Sequence, residues 1–279
     1  MLSTMDMLHA VTLCTLDVTA TAANFVLIYA IITSTPPSMR SYSILLLNNA
    51  FVDILSAFAS VMGIARLSFL RKSFSQVYVF LGGCSRVGLS FCHLCQTIHI
   101  FCVCHSTIIL LHSFCFRLYI LRDKLVQVTI PSARVTLLIC VCLYGPTVFM
   151  MVRCSHKGHS NVLDYHFVIA LSYVVILSPA AMVMIFFVRL RLIGEISKME
   201  SGARDHHSRI AKALTYQMLL PAGVSLASAA WLSEVTGLWW NETPERLIMT
   251  LSSFFALGSP LINLTFLPPY RRIFGKGGR

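Results

Sequence analysis

The sequence predicts an all-α integral membrane protein. It reads as a bundle of seven transmembrane helices, with the N-terminus extracellular and the C-terminus cytoplasmic. Two compositional observations and one physical rule carry this. Only 12% of the residues are charged and 56% are hydrophobic, whereas soluble domains carry about 25% charged residues, so charge is too sparse to cover a surface facing water. The apolar residues fall into long blocks, each near the roughly 20 residues that cross a bilayer, and these blocks lack the strict alternation of half-buried strands. Backbone groups in lipid must bond internally, so such blocks become helices.

The expected spans follow in order. Span 1 covers about 10–32 and stops at Thr33-Ser34-Thr35-Pro36-Pro37, where prolines break the helix. Span 2 covers about 42–64, and a loop carrying Arg66, Arg71, Lys72 and Arg86 follows. Span 3 is long, about 87–121, and span 4 covers about 135–152. A polar loop from Arg153 to Asp164 leads to span 5, about 165–190. The most polar loop, Arg191 to Arg209, precedes span 6 at about 211–231, and span 7 covers about 247–267. No loop is long enough for a separate unit, so residues 1–279 are expected to form one domain. Pro146, Pro179, Pro221 and Pro260 fall inside spans 4 to 7, where each removes a backbone hydrogen bond and permits a kink.

Orientation comes from the basic residues. The net charge is +11 and the pI is about 9.4. With the N-terminus outside, 15 of the 22 Lys and Arg residues lie on the inner side and seven on the outer, as the positive-inside rule requires. The first outer loop, with four basic residues, runs against this trend. Because the charges sit in short loops between spans, they read as topology signals, and no nucleic-acid partner is expected. No Lys or Arg precedes the first apolar block, so this block reads as a span rather than a cleaved signal. Asn241-Glu242-Thr243 is a glycosylation sequon in the last expected outer loop, and Asn241 is its acceptor.

Most of the ten cysteines lie within apolar blocks, where a thiol behaves as a small hydrophobe. Cys154 is expected in the second outer loop, in an oxidising compartment. Its partner is either Cys92, favoured by depth along span 3, or Cys84, which follows Gly82-Gly83 and reads as accessible. The expected pair is Cys84–Cys154.

Ionisable groups inside a bilayer are costly and usually face the bundle interior. Asp53 is the clearest, about eleven residues into span 2. Asn24 lies at similar depth in span 1, and Ser259 and Asn263 are polar candidates in span 7. Together these four are expected to form a hydrogen-bonded cluster between spans 1, 2 and 7. Span 3 carries His93, His99, His105 and His112, but no HExxH arrangement, and Cys92-His93-Leu94-Cys95 stands alone within an apolar helix. No metal and no cofactor is therefore expected, and no catalytic residues stand out. Some of these histidines are expected to line a ligand cavity, whose ligand the sequence does not specify.

Several segments resemble rhodopsin-like receptors in general. These are Ala23-Asn24-Phe25-Val26, Leu47-Asn48-Asn49-Ala50-Phe51-Val52-Asp53, the mid-span Pro221, and Ser259-Pro260-Leu261-Ile262-Asn263 in place of Asn-Pro-x-x-Tyr. Narrower likenesses lie in Ser113-Phe114-Cys115-Phe116-Arg117-Leu118-Tyr119, in Ala211 to Pro221, in Pro269-Tyr270-Arg271-Arg272, and in Met39 to Asn49. In these segments the chain is similar to the nematode serpentine chemoreceptors of class D, the Srd group. That resemblance covers nearly the whole chain. It implies a G-protein-coupled chemosensory receptor in the plasma membrane of sensory-neuron cilia. Membrane lipid, a heterotrimeric G protein and a small-molecule ligand are the implied partners. Arg117 and Tyr119 match the family's span 3 ending and are expected to couple to the G protein, with Arg117 reaching towards the cytoplasmic interface. Phe116 stands where many rhodopsin-like receptors carry an acid. A membrane transporter or channel for a small solute is the alternative; no internal repeat supports it.

Overall fold

The computed structural model describes residues 3–70, 75–123, 133–155, 165–198, 215–238, 242–267 and 269–271. Seven long helices dominate them: α1 (Thr4–Ser34), α2 (Arg40–Gly63), α3 (Leu89–Asp123), α4 (Ala133–Ser155), α5 (Tyr165–Ser197), α6 (Leu219–Val235) and α7 (Glu242–Phe266). Among the described residues, five helices are long and apolar enough to cross a membrane: α1, α2, α3, the described part of α5 and α7. Ser3 caps α1, its side chain accepting from the Asp6 amide at 3.1 Å. Pro36 and Pro37 follow its end, and a 3₁₀ turn over Pro37–Met39 leads into α2.

Two local features depart from the expected elements. The segment after α2 is a β-hairpin rather than a loop. Strands β1 (Ala65–Leu70) and β2 (Ser75–Phe80) pair antiparallel, with Ala65 opposite Phe80. Val77-Tyr78-Val79-Phe80 is rich in the β-branched and aromatic residues that fit a pleated surface. Ile64 makes the corner from helix to strand in a left-handed conformation (φ 37°), its amide bonding Ser60 O. The Leu81 and Gly82 amides then bond Ile64 O and Gly63 O, tying the hairpin to the end of α2. A Cβ at Gly82 would run into the Met62 carbonyl and the Gly63 backbone, so only glycine permits this approach.

The second departure is in span 6. The helix restarts at Leu219, which puts Pro221 in its first turn. A missing amide costs nothing there. Pro179 and Pro260 are interior, in α5 and α7.

The helices place large apolar side chains on the outside. Phe25 and Tyr29 of α1, Phe51 and Phe58 of α2 and Phe187 of α5 are each 57–62% exposed. Polar side chains such as Asp17, Asn24, Asp53 and Asn263 are buried. This polarity is the reverse of a soluble domain's and suits a lipid surround. At the end far from the hairpin, Leu27, Leu45, Phe116 and Tyr270 pack into one core. A second core joins α3, α5, α6 and α7 through Phe114, Ile185, Val224 and Phe255.

Candidate functional site

Buried polar side chains form levels along the bundle axis. At the hairpin end lies an ionic cluster that sequence reading missed. Asp6 Oδ1 accepts from Arg66 at 2.8 Å and from Arg246 at 3.0 Å. Glu245 lies 3.6 Å from Arg66 and accepts from Ser68 at 3.3 Å. The cluster ties together the start of α1, the hairpin and the start of α7.

The Cys84–Cys154 expectation is corrected here. Cys84 is bonded to Cys92, with Cα atoms 5.0 Å apart. A 3₁₀ turn over Gly83–Arg86 and the left-handed Gly88 (φ 143°) fold the chain back, bringing Cys84 onto the first turn of α3. The side chain of Cys154 and the sequon at Asn241 lie outside the described residues.

Below the cluster, Asp17 of α1 is fully buried. The hydroxyls of Ser60 (α2) and Ser253 (α7) are close enough to act on its carboxylate, but they bond each other at 3.2 Å. Neither Asp17 oxygen completes a hydrogen bond among the described residues. At a neighbouring level His99 of α3 bonds Ser56 at 3.1 Å and Ser252 at 3.0 Å. His93 instead meets the edges of Tyr78 and Phe80, and His105 stacks on Tyr144 at 3.9 Å. The span 3 histidines are thus dispersed among different partners.

Deeper still, the expected four-residue cluster separates into three pieces, with Asp53 and Ser259 in one and Asn24 and Asn263 each in another. Asp53 accepts from Asn49 at 2.7 Å and from Ser106 of α3 at 2.9 Å. Asn49 also donates to Ser259 of α7 at 2.8 Å, so it joins Asp53 to Ser259. Asn24 donates to Ala20 O at 2.9 Å and to Ala256 O at 3.1 Å. Ala256 lies four residues before Pro260, whose missing amide leaves that carbonyl without its helical partner. Asn24 therefore satisfies an acceptor that the proline has freed. Asn263 is drawn elsewhere, accepting from Gln217, just before α6, at 2.8 Å. Asn49 stands four residues before Asp53, a spacing that shares a helix face, so it was findable from sequence. Ser106 and Gln217 carried no such signal.

At the end opposite the hairpin, Arg117 does not extend to the surface as expected. It is buried, its guanidinium 3.8 Å from the centroid of the Tyr42 ring. Tyr270 is buried beside them and shares a hydrogen bond with Thr35 at 3.2 Å. Burial pushes the Tyr270 phenol upward from its ordinary value, despite the Thr35 bond. Tyr119 is exposed, two residues further along α3. The level thus holds one cation on an aromatic face, with an exposed tyrosine nearby.

The structure has the fold of solved seven-helix receptors. It matches the crystal structure of squid rhodopsin with a TM-score of 0.67 over 98% of this chain and 85% of that one, at 12% identity. Curated relatives from Caenorhabditis elegans include serpentine receptor class delta-2, 25% identical over 96% of this chain and 82% of its own length. Serpentine receptor class delta-3 is 28% identical over 89% of this chain and 81% of its own length. The family model "Serpentine type 7TM GPCR chemoreceptor Srd" matches residues 10–157 and 152–276. With nearly its whole length matched, the chain belongs to the Srd family of serpentine seven-transmembrane chemoreceptors.

Proposed function

We propose that this chemoreceptor takes a small molecule within the helix bundle and passes the resulting change to a heterotrimeric G protein. The hairpin end faces the outside, the Arg117 end faces the cytoplasm, and residues 1–279 act as one multi-pass unit in the plasma membrane of sensory-neuron cilia. Residues Arg117 and Tyr119 form the coupling end.

The observation that best supports this is the stacking of buried polar levels between the two ends. The Asp17 and His99 levels lie towards the hairpin, the Asp53 network lies in between, and Arg117 lies beyond it. Buried polar groups in a membrane bundle are expensive and mark functional paths. A ligand that displaces side chains near Asp17 acts on α1, α2 and α7, and those same helices share the Asp53 network and the Asn24 bond. A disulfide at the hairpin end suits the oxidising side of the membrane.

The test is expression in a cell line with a promiscuous G protein and a second-messenger readout, screened with small volatile and water-soluble molecules. An evoked signal that Arg117→Ala removes at matched surface expression is the expected result. A signal that Arg117→Ala leaves intact would remove Arg117 from the coupling path. Epitope tags at both termini, probed with and without permeabilisation, check the orientation; tags reached on one side would overturn it.

A further inference from the structure

We infer that the Asp17 level is a binding slot for a small primary ammonium group, with Asp17 as its counter-ion. This deepens the receptor reading above and rests on it. Asp17 is fully buried in an apolar helix, and both of its carboxyl oxygens lack a completed hydrogen bond among the described residues. A carboxylate held so in lipid is costly unless a cation meets it.

The surroundings define the cation. One helical turn to one side, Ala20, Ala57 and Ala256 close together as a floor of small side chains. About one turn to the other side, towards the hairpin, Leu13, Met249 and Trp231 pack as an apolar roof. Asp17, Ser60 and Ser253 occupy the layer between, one from each of α1, α2 and α7. Floor and roof residues are seven positions apart on α1 and α7, about 10 Å at 1.5 Å per residue.

The donor and acceptor count selects the ligand class. A primary ammonium carries three N–H donors and no acceptor, like the lysine head group. The layer offers three acceptors: the Asp17 carboxylate and the two serine hydroxyls, which bond each other at 3.2 Å and lie within reach of that carboxylate. A hard divalent metal would need six or more oxygen ligands or several retained waters, and the described residues hold no group of three or more His, Cys, Asp or Glu side chains suited to one. The roof offers apolar contact and an aromatic ring, Trp231, which suits an apolar or aromatic tail. The indole Nε1–H has no partner among the described residues. The assigned ligand is therefore a small primary amine with an apolar tail.

The experiment uses the full chain, purified in lipid nanodiscs, and follows its melting temperature. The probes are hexylamine and phenethylamine, each paired with its uncharged counterpart, 1-hexanol and 2-phenylethanol. An amine-dependent rise that the alcohols do not give is expected. Asp17→Asn should weaken amine binding about 30-fold or more, the loss usual for truncating one partner of a buried charge pair. Without probe, Asp17→Asn should melt no lower than the native chain, because it removes an uncompensated charge. Ser60→Ala with Ser253→Ala keeps the acid and should also weaken the amine, which carries the test if Asp17→Asn cannot be purified. An equal rise with amine and alcohol, no rise with either amine, or a rise that survives both sets of substitutions overturns the assignment. Activation of the intact receptor by a neutral odorant, with no amine response, would sink the amine slot and leave the receptor reading standing. An amine-dependent rise without G-protein activation would do the reverse.

Discussion

The guanidinium of Arg117 rests on the face of Tyr42, 3.8 Å from its centroid, and so joins the end of α3 to the start of α2. A cation over an aromatic face contributes about 0.5–2 kcal/mol, more as water is excluded. Phe116 precedes Arg117 where an acid would otherwise pair with it, so the ring takes the position of a counter-ion. Tyr42→Phe keeps the ring and should leave basal signalling unchanged, since the Tyr42 hydroxyl has no partner among the described residues. Tyr42→Leu should raise ligand-independent G-protein activation by roughly 2- to 30-fold, the equilibrium equivalent of that energy. Arg117→Lys should give an intermediate value, because it keeps the charge and loses the planar group. Basal second-messenger levels at matched surface expression decide this; a Tyr42→Leu receptor as quiet as the native one would show that the ring does not restrain Arg117.

The bond from Asn24 to Ala256 O predicts a coupling between two distant positions. Asn24→Ala should lower bundle stability by about 0.6–1.7 kcal/mol, the range for polar contacts between membrane helices. In a Pro260→Ala background the restored amide can bond Ala256 O itself, so Asn24→Ala should then cost less. A double-mutant cycle on unfolding free energies measures the difference. A coupling of zero would mean that Asn24 acts on something other than the carbonyl left by Pro260.

Non-reducing peptide mapping should recover Cys84 joined to Cys92. The bridge closes a loop with a sequence separation of 8, for which chain entropy alone gives about 2.5 kcal/mol. Cys84→Ser should lower the melting temperature accordingly and leave Cys92 as a free thiol, buried in the folded chain and alkylated once it is denatured. Recovery of Cys84 in a peptide with Cys154 would reinstate the pairing expected from sequence.

The ionic cluster at the hairpin end predicts a salt-sensitive effect. Asp6 bonds two arginines whose side chains are only 15–20% exposed. Asp6→Ala removes the carboxylate that Arg66 and Arg246 share, and should cost about 1–2 kcal/mol. The cost should shrink in high salt, because the group is not fully buried. Melting curves of both proteins at low and high ionic strength test it, and superimposable curves at low salt would show that the cluster contributes nothing.

The helices were legible because lipid imposes a simple rule: a spanning helix must be apolar for a fixed length. That rule says nothing about six-residue strands, so Arg66, Arg71 and Lys72 drew the hairpin into a loop despite Val77 to Phe80. Asp53 was legible as a charge at mid-span, and its tie to Ser259 could be guessed, but Ser106 and Gln217 acquire meaning only from how α3 and the segment before α6 face α2 and α7. Arg117 stood out as a lone cation, whereas its partner Tyr42 lies far away in sequence. The cysteine pairing failed because it turns on a local fold, the 3₁₀ turn and Gly88, that brings Cys84 back onto its own helix.

The outward apolar side chains Phe25, Tyr29, Phe51, Phe58 and Phe187 fix what the word unfolded means for this chain. Helices with such faces stay inserted and hydrogen-bonded in lipid even when parted from one another, so the reference state is a set of separate helices rather than a coil. Loss of the Asn24, Asn49 or Asp53 contacts should therefore loosen the assembly while far-ultraviolet circular dichroism hardly changes. Probes of helix proximity, such as energy transfer between labels on α1 and α7, would register damage to which a helicity measurement is blind.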